Sequence, residues 1–388
     1  MLKQQAQLSG IQLTKTISLS SQDRPQKIFI TGIPGTGVSF YLTSLLKQDI
    51  NAKNPTILLD PYGNLTENLK SVLTSELKEN VYFIDIGKEK QKFNLNIFED
   101  KKESDKKEVA ETIINLMYDL YDPNKTGIIG PRFEQVVRNA ILTVMYDKNA
   151  TFVDLVRLLT DYSYLQKLLP KVKDEFLKNY WLKQKNEISD TNKSEVVNYV
   201  ISKFRPFVTD KKILPILSQS KNIFNIEKLF DNGKIVVFNF ANLGGNKDTI
   251  KIVSYFLMTK LIKIFKNRNR KDYKTVSLYI DEVSFWPLAS ILKLCQSGRL
   301  YGINLTLTTN NISEAHLALK QELLKIENLV SFRLTTKDAK IIAEEFHSAK
   351  ITDDSICMLK KYHVYIKYLR SGNPFITEKP INLEKELK

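Results

Sequence analysis

Short, almost unbroken apolar runs recur along the chain: KIFITG (27–32), TILLD (56–60), VYFIDI (81–86), KIVVFNF (234–240), VSLYIDE (276–282), NLTLTT (304–309) and LVSFRLT (329–335). Strands of a parallel sheet read this way when helices cover both faces, because neither side of the strand turns polar. Between several runs the apolar positions switch to helical spacing, as in SFYLTSLLKQ after the first and TIKIVSYFLMTKLIKIF after the fourth. Alternating strands and helices predict an α/β fold, mainly a parallel sheet flanked by helices, with right-handed crossovers.

The middle of the chain breaks this rhythm. From about Glu103 to Leu229 the strand signals fade, and amphipathic stretches such as VAETIINLMYDLY, RFEQVVRNAILTVMY and FVDLVRLLTD take over. The pattern predicts a mostly helical insertion, 103–229, between two parts of one α/β core, 1–102 and 230–388. The charged stretch EDKKESDKKE at its entry reads as a solvated boundary.

Composition changes the picture in one respect. At 388 residues, with 43% apolar and 26% charged positions, the chain is an ordinary globular sequence long enough for two domains. Lys and Arg total 58 against 43 Asp and Glu, a net charge of +15 and a pI near 9.4. That excess suits a polyanionic partner such as DNA, and equally a lysine-rich proteome. Cys295 and Cys357 have no metal or disulfide spacing, and His316, His347 and His363 are scattered. No apolar run approaches the ~20 residues of a membrane span, and MLKQQAQLSG is not a signal peptide. The expectation is a cytoplasmic protein that reaches a membrane only through a partner.

The first candidate site follows the first strand: TGIPGTGVS, residues 31–39, has the outline of the phosphate-binding loop G-x-x-x-x-G-K-[ST]. Gly32, Gly35 and Gly37 allow backbone shapes that point successive N–H groups, with that of Thr36 among them, at phosphate oxygens. The next helix adds its positive N-terminal end. Ser39 stands where a hydroxyl would bind Mg²⁺, but the lysine slot holds Val38, and the first basic residue of the helix is Lys47. A simple turn remains the competing reading. The second candidate is LYIDE (278–282), an apolar strand ending in Asp281, suited to hold Mg²⁺, and Glu282, suited to orient an attacking water. Asp60 ends another strand and suits either orienting the site or capping the next helix.

Beyond these motifs the chain resembles the HerA/FtsK-like DNA-pumping ATPases, most closely the branch of TraD/TraG-type conjugative coupling proteins. LLDPYGNLTENL (58–69) is similar to that branch's D-P-H-G-D-like turn, with Tyr62 and Asn64 substituted, and KFNLNIF (92–98) to its F-N-P-L segment. GPRFEQVVRNAILTV (130–144) and TFVDLVRLLTD (151–161) resemble its helical insertion. SQSKNIFNIEKLFDNGKIVVFNFANLGG (218–245), LVSFRLTTKDAKIIAEEF (329–346) and LKKYHVYIKYL (359–369) resemble later segments. The resemblance implies a RecA-like P-loop NTPase fold, ATP and Mg²⁺ as cofactors, DNA as partner, and a ring of subunits linked to membrane-associated secretion or conjugation components. It also implies that Arg299, in SGRLYGINLTLTTN, completes a neighbour's nucleotide site, and that Asn310 replaces a γ-phosphate-sensing glutamine. Arg333, in SFR, is a further candidate for phosphate or subunit contact, or for an internal ion pair.

The departures cluster. Val38, Asn310 and the altered turn all touch one pocket, which implies weakened hydrolysis with nucleotide binding retained, or a mixed ring with an active paralogue. Two stretches suit nucleic acid. KIFKNRNRKDYK (263–274) carries Lys266, Arg268, Arg270 and Lys271 for backbone phosphates, or is a solubilising loop. KLLPKVKDEFLKNYWLKQK (167–185) offers Phe176, Tyr180 and Trp181 for stacking, or is an amphipathic helix with buried aromatics. The sequence thus leads to a DNA-handling member of a motor family, its own ATP hydrolysis left open.

Overall fold

The computed structural model describes residues 10–25, 27–88, 93–99, 103–184, 195–221, 226, 234–268 and 275–387. The chain forms two compact units: Met1–Ile86, Ile226–Gly245 and Leu261–Lys388 make the first, Gly87–Asn225 and Asn246–Lys260 the second.

Among its described residues the first unit is built on twelve strands: β1 (Ile11–Gln12), β2 (Ser18–Leu19), β3 (Ile28–Thr31), β4 (Thr56–Asp60), β5 (Val81–Asp85), β6 (Ile235–Asn239), β7 (Val276–Ile280), β8 (Ile303–Thr309), β9 (Asn328–Ser331), β10 (His363–Arg370), β11 (Asn373–Ile376) and β12 (Ile381–Asn382). The main sheet runs β11-β10-β9-β3-β8-β7-β4-β6-β5, with β12 added to β10. From β9 to β5 every pairing is parallel, and β10 joins β9 antiparallel. β3, β4, β6, β7 and β8 are buried at every position, which is why they read as unbroken apolar runs.

One layer over this sheet is the helix α1 (Val38–Asn51), which buries Tyr41, Leu42, Leu45, Leu46 and Ile50 in a core with Ile28, Ile30, Leu58, Val237 and Val330. The β1–β2 hairpin adds Ile11, Leu13, Ile17 and Leu19 to it. A buried polar knot ties α1 to β7: Asp49 accepts from Arg24, from the Tyr279 hydroxyl at 2.6 Å and from Asn54 at 2.8 Å, and Arg24 also donates to Ser277. Every member has a partner, so the knot fixes the position of α1, and hence of the loop that starts it.

The regular structure among the second unit's described residues is all helical, with Glu103–Tyr121, Pro131–Val144, Phe152–Thr160 and Glu195–Thr209 as its main members. Its core is aromatic: Phe152 packs on Phe204, Phe207 and Phe256 with ring centroids 5.0 to 5.6 Å apart. Trp181 is buried and donates to the Thr143 hydroxyl, whereas Phe176 on the same helix is 80% exposed. The unit starts at Gly87 rather than at 103, ends at Asn225 rather than at 229, and takes in the first turns of the long helix Lys247–Asn267. No helix of the described residues is long and apolar enough to cross a membrane.

Candidate nucleotide site

β3, β8 and β7 lie side by side and point the same way, with Thr31 beside Thr309 and Ile280 beside Leu307. The segments that leave their C-terminal ends therefore emerge on one edge of the sheet. These are the glycine loop after β3, Asn310 after β8, and Asp281 with Glu282 after β7. The Thr31 hydroxyl donates to the Thr309 carbonyl at 3.0 Å and joins the first two. Sequence reading put these residues in one pocket, and the strand order brings them to one edge.

The loop has the backbone its glycines permit. Gly35 and Gly37 have φ of 84° and 119°, values a side chain would strain. Gly37 caps α1, which has no side-chain cap and no acidic residue in its first turn, so its first N–H groups keep their attraction for an anion. Pro34, Gly35 and Ser39 are exposed, and space beside Gly35 is open, while Thr36 is buried with its hydroxyl on the Ile33 carbonyl at 2.7 Å. One wall is filled by aromatics: a Cβ on Gly37 would lie 2.7 Å from the Tyr362 ring and 3.2 Å from Phe332. The Tyr362 N–H donates to the Thr36 carbonyl at 2.8 Å, which pins that wall to the loop. Val38 packs against the core, its Cγ2 2.9 Å from where a Gly32 Cβ would stand. The lysine slot thus holds a packed apolar group.

The two acids are held differently. Glu282 is 6% exposed, in the left-handed region at φ 49°, a conformation that costs a non-glycine residue about 1 kcal/mol or more. Its carboxylate accepts from the hydroxyls of Ser284 at 2.9 Å and Thr309 at 3.0 Å and from the Asn310 N–H at 2.9 Å. It is the backbone of Asn310 that contacts Glu282. The Asp281 carboxylate accepts from Thr308 at 2.7 Å. Burial of the carboxyl, together with the charges of Asp60 and Glu282, pushes its pKa up to about 7. Asp60 caps the helix α2 (Asn64–Val72) by accepting from the N–H groups of Tyr62, Gly63 and Thr66 and from the Thr66 hydroxyl. Burial still raises its pKa against those bonds.

Sequence reading missed three contributors. Tyr62, one of the two substitutions in the signature turn, packs edge-on to Phe285 at 5.0 Å, and its phenol is raised by burial and by the charges of Glu282 and Asp281. It stands by the acids and is 44% exposed. Thr308 and Thr309 hold the acids in place, yet within NLTLTT they read only as strand formers. The strand order shows their role.

Of the remaining candidates, Arg299 and Arg268 lie at the opposite edge of the sheet and Arg333 beside the loop. Arg299 is exposed on a 3₁₀ turn that precedes β8, at the sheet edge opposite the loop. The seven residues of β8 put roughly 20 Å between the two edges. Arg268 comes to that same far edge, donating to the Tyr301 carbonyl at 2.8 Å and stacking on Phe265. Lys266 is exposed in the last turn of its helix, and Arg270 and Lys271 lie outside the described residues. Arg333 follows β9, next to the loop.

The residues on the loop edge fit an ATP·Mg²⁺ group. Gly35 leaves open space where a Cβ would intrude, Ser39 presents an exposed hydroxyl, and Asp281 is a desolvated carboxyl that a cation would return to its ionised form.

Comparison with known proteins identifies the family and the fold. The profile of the type IV secretion-system coupling protein DNA-binding domain matches residues 12–318, and the chain belongs to that family. It is a TraD/TraG-type member of the HerA/FtsK-like class with a RecA-like P-loop NTPase fold. The plasmid coupling protein TrwB, solved with the non-hydrolysable ATP analogue ADPNP, superposes with a TM-score of 0.70 at 11% identity, covering 98% of this chain and 90% of that one. TrwB with ADP and Mg²⁺ gives 0.67 at 12%, covering 98% and 90%. VirB4 of Thermoanaerobacter pseudethanolicus gives 0.66 at 12%, covering 99% of both chains. Among curated protein sequences none matches.

Proposed function

We propose that this chain is a DNA-handling subunit of a conjugation or type IV secretion machine, that it assembles into a ring, and that it binds ATP·Mg²⁺ on the edge formed by β3, β8 and β7. The observation that carries the reading is the juxtaposition of the glycine loop with Asp281 and Glu282, one strand apart, with Thr308 and Thr309 between them. Gly35, Thr36, Gly37 and Ser39 hold the phosphates through the backbone, and Ser39 and Asp281 hold the metal. When bound, Mg²⁺ supplies charge neutralisation at the terminal phosphates. Glu282 is placed by Ser284, Thr309 and Asn310 to orient a water.

Arg299 is too far from its own loop to act there, so it acts on a neighbouring copy, where a guanidinium stabilises charge on the transferred group. Lys266, with the basic segment it begins, contributes to holding DNA phosphates. The +15 charge and DNA binding in the family support this part.

A second reading is favoured by the packing of Val38. With an apolar group fixed in the lysine slot, hydrolysis at the chain's own pocket is weak, and the chain serves a ring whose active sites belong to a paralogue. ATP turnover at concentrations that allow assembly, with and without DNA, decides between them. DNA-stimulated turnover lost in Glu282→Gln supports a working motor. Nucleotide binding without turnover supports the mixed ring, and neither binding nor turnover refutes both.

A further inference from the structure

We propose that Arg333 supplies, at the phosphates of the bound nucleotide, the positive charge that Val38 does not. The proposal rests on the reading of the loop as a nucleotide site and names the residue that completes it. Arg333 follows β9, which flanks β3 on the side away from β8. The parallel register of β3 and β9, Thr31 beside Ser331, continues past both strands. The Phe332 N–H donates to the Thr31 carbonyl at 2.9 Å and the Ile33 N–H donates to the Arg333 carbonyl at 3.0 Å. The backbone of Arg333 is thereby locked beside the second residue of the loop. The first basic residue of α1, Lys47, lies more than two turns along the helix.

The state of the guanidinium is the second observation. Arg333 Nε is buried and has no hydrogen-bond partner among the described residues, and no carboxylate of those residues pairs with the side chain. Arg24 is met by Asp49 and Ser277. Arg268, whose Nε is also buried without a hydrogen bond among the described residues, is held at the far edge by the Tyr301 carbonyl and the Phe265 ring. An arginine cannot shed its proton, so a shielded N–H without an acceptor is a standing cost. A polyphosphate removes that cost, and the planar fork of a guanidinium matches two of its oxygens. The internal ion pair that would have explained Arg333 structurally is absent among the described residues.

Lys361 is the competing cation on this edge. Its ammonium lies over the Tyr362 ring, 4.8 Å from the centroid, and the residue is exposed. That charge is already engaged by an aromatic face and hydrated, so it has no unmet need of an anion.

Equilibrium titration of the full chain with Mg·ATP and with AMP, at fixed ionic strength, tests the assignment. Arg333→Gln is expected to weaken Mg·ATP by about 10- to 100-fold, the range of one lost charge-assisted contact. AMP, which lacks the terminal phosphates, is expected to change less than about 3-fold. Arg333→Lys should recover part of the loss, Lys361→Ala should stay near the natural chain, and Val38→Lys should rescue Arg333→Gln. Unchanged Mg·ATP affinity in Arg333→Gln overturns the inference and leaves the nucleotide site standing. So does an equal loss for AMP and ATP, or a loss confined to Lys361→Ala. A natural chain that binds no Mg·ATP overturns both.

Discussion

Replacing Asp281 by Asn removes a carboxyl that the fold holds at a cost. The folded pKa is about 7 against a usual 3.8, so between those values the native chain keeps a proton that the unfolded chain has released. Stability then falls as pH rises from about 4 to about 7 and levels off above, the reverse of a salt-bridged aspartate. A shift of that size corresponds to roughly 2–4 kcal/mol at pH 8, allowing for the partial exposure of the residue. Asn keeps the shape and can still accept the Thr308 hydroxyl that Asp281 accepts at 2.7 Å. Asp281→Asn is therefore expected to be more stable than the natural chain at pH 8 by about that amount and nearly equal at pH 4. The chain has two tryptophans, Trp181 in the helical unit and Trp286 in the strand unit, where its indole donates to the Asp281 carbonyl. In a Trp181→Phe background, urea unfolding followed by Trp286 fluorescence reports the right unit. Mg·ATP should reverse the order at pH 8, because a cation beside Asp281 stabilises the ionised form. Ligand-free Asp281→Asn that is less stable than the natural chain at pH 8, or a difference that does not change with pH, would refute the reasoning.

Gly37→Ala should destabilise the strand unit by about 2–4 kcal/mol and abolish nucleotide binding, since its Cβ meets Tyr362 at 2.7 Å and φ is 119°. Gly35→Ala, with the same kind of strain but open space, should cost only about 1 kcal/mol, and the same unfolding assay separates the two. Arg24→Met should cost about 3–5 kcal/mol by stranding the buried Asp49, and loss of less than 1 kcal/mol would mean that the knot does not fix α1. Arg299→Ala and Glu282→Gln should each be inactive alone, but a mixture should regain a fraction of the turnover, because one copy then offers an intact pocket and its neighbour an intact arginine. No recovery in the mixture removes Arg299 from the shared site.

The parallel core was legible because its strands are buried on both faces, and burial on both faces leaves only one kind of pattern. The edge was less so. β10, HVYIKYLR, mixes buried and half-buried positions because it turns the sheet antiparallel and meets solvent on one side. The glycine loop and the acids carried recognisable spacings, whereas Thr308 and Thr309 gain their role only from β8 lying between β3 and β7. Tyr62 was visible as a departure from the signature turn, but its place by the acids depends on α2 and on Phe285. Arg268 looked like a free cation in a basic run, and Tyr301, 33 residues away, makes it a structural one. The boundary of the helical unit escaped because the helix Lys247–Asn267 runs through both units, and no composition change marks Lys260.

The central claim is that the glycine loop and Asp281 grip one ligand. A double-mutant cycle on Mg²⁺-dependent ATP affinity, with Ser39→Ala and Asp281→Asn singly and together, tests it most directly. The account predicts that Mg²⁺ tightens ATP binding to the natural chain, that either substitution abolishes the tightening, and that the pair loses no more than one alone. Additive losses, or an ATP affinity indifferent to Mg²⁺ in the natural chain, would contradict it.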